Sequence, residues 1–131
     1  MERCLLLLLL LCLAGCAPKP YTQVVSGHLT QGGVAVQNTP VRFSLSSTDQ
    51  PYCEPPTASG LTDETGRFEL KATYTPARLE AFAVVIHHHA VCVQVGGRWV
   101  RTWLLVTGPA QKKVVLACLI EKDESVSCTS Q

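Results

Sequence analysis

From Val41 to Ser46 apolar side chains fall on every second residue: Val41, Phe43 and Leu45 alternate with Arg42, Ser44 and Ser46. A period of two places alternate side chains on opposite faces of an extended strand, one face buried and one wet. The pattern returns at Arg67–Thr73, where Phe68 and Leu70 are the inward residues. Glycine and proline, 9 and 8 residues of 131, punctuate the chain, and β-branched residues are many. Helices are therefore not expected beyond the N-terminal segment.

The strand map follows from this punctuation. Gln23–Thr30 is a first strand, Gly32-Gly33 a turn, and residues 34–40 lead into Val41–Ser46. Residues 47–60 read as a loop rich in Ser, Thr and Pro that carries Cys53, and Asp63-Glu64-Thr65-Gly66 as a turn. Leu79–Ile86 and Ala90–Val95 are strand material, broken or continued through His87-His88-His89. Gly96-Gly97 is a two-residue hairpin turn into Arg98–Val106, Gly108-Pro109 the next turn, and Lys113–Ile120 the last strand. The expectation is an all-β fold, a single Ig-like or prealbumin-like β-sandwich of about seven strands over residues 23–120. Residues 121–131 read as a polar tail, apart from Val126, held down through Cys128.

The N-terminus has a different character. Arg3 precedes the apolar run Leu5–Leu13, which closes on Leu13-Ala14-Gly15-Cys16. Charged start, apolar middle and small-residue junction make a secretory signal. A cysteine at the junction resembles the bacterial lipoprotein class. The resemblance implies that residues 1–15 are a signal peptide removed before Cys16. It also implies that Cys16 carries a diacylglyceryl thioether and palmitate-type acylation of its amine. Residues 16–22 are then a lipidated N-terminus and short tether. Ala17 stands where, in such lipoproteins, an Asp resembles an inner-membrane retention signal, and the lack of Asp there implies the outer membrane, facing the periplasm. An ordinary secretory signal cut after Gly15 or Ala17 is the alternative. The run is far short of the roughly 20 apolar residues of a spanning helix.

The net charge of +1 supplies no electrostatic case for nucleic acid. Four of the 7 cysteines follow Cys16: Cys53, Cys92, Cys118 and Cys128. Their spacings fit neither a zinc site nor a C-x-x-C redox motif, so two disulfides are expected in an exported protein. Cys92 and Cys118, both in apolar runs, make a plausible inter-strand pair, leaving Cys53 with Cys128.

Three segments together resemble a second family. They are Ser26-Gly27-His28-Leu29-Thr30; Gly33 with Pro40-Val41-Arg42-Phe43; and Thr62-Asp63-Glu64-Thr65-Gly66-Arg67-Phe68-Glu69-Leu70. The resemblance is to the carboxypeptidase regulatory-like domain, and it spans about residues 24–71. It implies a prealbumin-like sandwich and an accessory module rather than a peptidase. In physical terms Asp63 can accept from backbone amides across its turn, Gly66 can take positive φ, and Phe68 can then enter the core.

Two constellations carry possible chemistry. On a strand, His87 and His89 share a face and could hold a metal if His28 or Glu80 came near. Trp99, Arg101 and Trp103 alternate along Arg98–Val106, with Val100, Leu104 and Val106 facing the core. Tryptophan and arginine on one face suit a protein-binding or sugar-stacking patch. No catalytic triad context, G-x-S-x-G elbow or phosphate loop is present, so neither enzymatic activity nor a cofactor is expected. The reading is a non-enzymatic outer-membrane lipoprotein, anchored through Cys16, that binds or supports an envelope protein. Glycan or peptidoglycan binding through Trp99 and Trp103, and metal binding through His87 and His89, are the alternatives.

Overall fold

Nine strands form among the described residues: β1 (Tyr21–Gln31), β2 (Val34–Ala35), β3 (Pro40–Ser46), β4 (Ala58–Leu61), β5 (Arg67–Tyr74), β6 (His87–Val95), β7 (Arg98–Thr107), β8 (Lys113–Ile120) and β9 (Val126–Ser130). The computed structural model describes residues 18–46, 52–77, 80 and 84–131. Cys16 and the signal segment lie outside the described residues.

The strands make an all-β sandwich of two layers. In the first, β1 pairs antiparallel with β5 along Tyr21–His28 and with β2 at Thr30 and Gln31. On its other edge β1 runs parallel to β8, which pairs antiparallel with β9. The second layer has the order β4-β3-β6-β7, all antiparallel. Val25, Leu29, Phe68, Leu70, Val114 and Leu116 from one layer meet Val41, Phe43, Val91 and Val93 from the other in a single core. Burial of each such side chain is worth about 1.5–3 kcal/mol, which is why the alternation dictates the register.

The Asp63 turn is built as its residues require. One Asp63 carboxylate oxygen accepts from the Thr65 amide and hydroxyl and from the Arg67 amide, all at 2.8–2.9 Å. Those hydrogen bonds, the Thr65 hydroxyl foremost, hold its pKa below the ordinary carboxylate value. Gly66 has φ 74°, and a Cβ there would stand 2.5 Å from the Leu29 carbonyl oxygen. Phe68 follows into the core, its ring lying over Gly27, where a Cβ would approach Phe68 Cζ to 2.4 Å.

Several expectations change. Ala58–Leu61, which overlaps the end of the anticipated loop, is strand β4, and Val126–Ser130 of the anticipated tail is strand β9. Both are short and polar on one side, so alone they lack a strand signal; pairing to β3 and β8 supplies it. The anticipated strand Leu79–Ile86 does not form where it is described. Glu80 closes a helical turn by donating its amide to Ala77, and Val84–Ile86 lead unpaired into β6. Leu79 and residues 81–83 lie outside the described residues.

Both disulfides form, with different partners from those anticipated: Cys53–Cys92 and Cys118–Cys128. Cys92 alternates with Val91 and Val93 and so points out of the second layer, whereas Cys118 points into the core. They cannot meet. Cys118 and Cys128 lie directly opposite in the β8–β9 register, with Cα atoms 4.1 Å apart.

Candidate functional site

The outer face of the second layer carries part of the aromatic and cationic pattern expected along β7. Along β6 and β7, Val93 faces Val100, Cys92 faces Arg101 and Val91 faces Trp103. One step on β6 thus spans two on β7, and Thr102 is the extra residue of a β-bulge. A bulge reverses the alternation beyond it. Trp99 and Arg101 stay on the outer face, but Trp103 turns inward and packs half-buried against the core. Leu104 and Val106, anticipated as core, are instead 39% and 51% exposed. The expected Trp99–Arg101–Trp103 face is therefore split, and the two indoles do not share a platform. Thr102 is buried, its hydroxyl donating to the Val91 carbonyl at 3.1 Å.

In place of Trp103, the outer face recruits residues from two other segments. Arg42, Cys92 and Arg101 form one row across β3, β6 and β7. The Cys53–Cys92 disulfide plants residues 52–57 on this row, aided by the Thr57 amide on the Phe43 carbonyl at 2.7 Å. Arg42 lies 4.0 Å from the Trp99 ring centre, and Arg101 lies 4.5 Å from that of Tyr52. Arg42 also pairs with Glu54 at 2.9 Å. An exposed ion pair of this kind adds at most about 1 kcal/mol, but two guanidinium-on-ring stacks keep the aromatic and cationic groups in fixed orientation. Arg42, Tyr52 and Glu54 escaped the sequence reading. Their only signals were the outward place of Arg42 on its strand and the nearness of Tyr52 and Glu54 to Cys53.

The histidine cluster lies at the opposite face of β6. His87 and His89 share a face, as their spacing predicts, and that face is inward: they are 2% and 0% exposed. Glu80 does approach: its Oε1 is 3.5 Å from His87 Nε2 and accepts the Tyr74 hydroxyl hydrogen. Burial, then the Glu80 hydrogen bond and charge, push the Tyr74 phenol upward. His89 has another role, because its Nε2 accepts the Gln111 amide at 3.0 Å. The ring is thus neutral with its proton on Nδ1. Burial, and then the neighbouring His87, lower its pKa to about 4. His28 stands apart, with Nε2 2.8 Å from the Thr65 carbonyl oxygen. Among the described residues no group of three His, Cys, Asp or Glu side chains is placed to hold a metal ion.

No family model matches the chain, and no curated protein matches it.

Proposed function

We propose that this chain is a non-enzymatic lipoprotein of the bacterial outer membrane, anchored through Cys16, whose β-sandwich binds an envelope protein through Trp99 and Arg101. The observation that carries the binding reading is the stacked row of Trp99, Arg42, Arg101 and Tyr52, pinned by a disulfide. Pre-oriented aromatic and guanidinium groups lose little entropy on association, the property of interface anchors. The sandwich itself, with its Asp63 turn, supports the likeness to the carboxypeptidase regulatory-like domain, whose members serve as accessory modules. A glycan platform is the weaker reading, since Trp103 faces the core and Arg42 already covers one face of Trp99.

Crosslinking in intact cells with mass spectrometry tests the proposal. The expected result is one dominant envelope protein linked through positions beside Trp99 and Arg101, with Trp99→Ala weakening the complex about 30-fold. Recovery of the monomer alone overturns it. A fluorescence change with oligosaccharide that Trp99→Ala removes would install the glycan reading instead.

A further inference from the structure

We propose that the end of the sandwich from which the tether departs is a membrane-docking face. There Val84 and Ile86 enter the interfacial zone, and Lys112 and Lys113 meet lipid phosphates. The proposal rests on the reading of Cys16 as the lipid-bearing residue.

The strand registers define this end. β1 and β8 begin there in parallel, β5 and β7 finish there, and β6 starts there. Only residues 17–20 separate Cys16 from β1, so the start of the sandwich lies within about 17 Å of the anchor. The 11 residues of β1 span about 36 Å, which carries the opposite end well away from an upright anchor.

Composition at the near end suits a lipid surface. Val84 and Ile86 are 87% and 54% exposed, although both are large and apolar. Val84 stands against the 108–112 connection: a Cβ on Gly108 would lie 3.7 Å from Val84 Cγ1. Pro109, Lys112 and Lys113 on and beside that connection are exposed, as is Lys19 on the tether. Lys112 lies 4.9 Å from the Tyr21 ring centre, which keeps its ammonium at this end. Glu80, the acid described here, turns inward to Tyr74 and His87.

At the far end the turns carry Asp63, Glu64, Glu121, Asp123 and Glu124, offset in part by Arg67, Lys122 and the Arg98 that pairs with Glu124. The far end is thus net acidic, and the net cationic end lies beside the anchor. An anionic leaflet attracts each nearby lysine by a factor of about five, and apolar side chains add to this by burial in the interface.

The test uses protein processed by cells from the full chain and reconstituted into phosphatidylethanolamine vesicles containing phosphatidylglycerol. Mass spectrometry of the N-terminal peptide reports the state of Cys16. Ile86→Trp provides a reporter read by acyl-chain-brominated lipid against the background of Trp99 and Trp103. Quenching of the new indole is expected. Adding Lys112→Gln and Lys113→Gln should lower the ratio of docked to free domain about 30-fold. Acylated Cys16 without quenching at position 86 overturns the docking face and leaves the anchor standing. If Cys16 is unmodified the anchor falls, and cosedimentation of the same protein decides the docking face. Binding abolished by Val84→Ser with Ile86→Ser sustains it, and absence of binding overturns it.

Discussion

At the end of the sandwich distant from the tether, the chain turns on its nearest neighbours. Asp63 accepts from Thr65 and Arg67, and Asp123 accepts from the amide and hydroxyl of Ser125. At the tether end the equivalent connections are held from far away in sequence. The Gln111 carbonyl accepts from Gln23 across 88 positions, and the Gln111 amide donates to His89 across 22. Tyr74, Glu80 and His87 tie the preceding connection across 6 and 13 positions. Local turns demand particular backbone angles. The other end demands buried polar partners, so its order depends on the whole sandwich and on pH.

The largest expected effect tests the local end. Gly66→Ala puts a Cβ into a positive-φ position and 2.5 Å from the Leu29 carbonyl oxygen. It should cost about 3 kcal/mol or more in urea denaturation. A loss below about 1 kcal/mol would mean that the turn relaxes freely and that its geometry is not the constraint.

The second prediction tests the polar end through acid. The folded state keeps His89 neutral down to about pH 4, whereas an unfolded imidazole takes up its proton below about 6.5. The unfolded state therefore binds more protons in this window. Stability should fall by about 1.4 kcal/mol per pH unit as pH drops from 6.5 toward 4, and this contribution should level off below 4. In His89→Gln the slope should vanish. Its persistence there would assign the acid sensitivity to other groups.

The smallest effect sharpens the contrast. Gln23 is 1% exposed and donates to the Gln111 carbonyl at 3.1 Å, while its Oε1 has no hydrogen-bond partner. Gln23→Leu removes that hydrogen bond but also relieves the unpaired oxygen, for a net loss of about 1 kcal/mol. Amide exchange should quicken at residues 110–112 and remain unchanged at residues 63–67. Equal quickening at both ends would show that they open together.

These differences also mark what could be read in advance. The Asp63 turn was legible to the level of individual hydrogen bonds, because a carboxylate, a glycine and a core phenylalanine within six positions leave few backbone solutions. That His87 and His89 share a face was legible from the strand period alone, but not that the face is buried. The split between Trp99 and Trp103 was not. It depends on Thr102 being skipped in pairing with β6, and a bulge inserts an extra residue without altering the local composition. Strands β4 and β9 were missed for a related reason: Ala58–Leu61 and Val126–Ser130 gain their extended form from the edge they join.

The sequence by itself determined an all-β chain, the places of its tightest turns, the inward residues of most strands and the supply of cysteines for two disulfides. Each of these follows from side-chain period, backbone angle preference or residue count, which are local properties. The tertiary structure alone decided which cysteines join, which tryptophan faces outward and which polar atoms hold the tether end. Those depend on which strands become neighbours and in what register, and register is chosen by the summed burial of both layers.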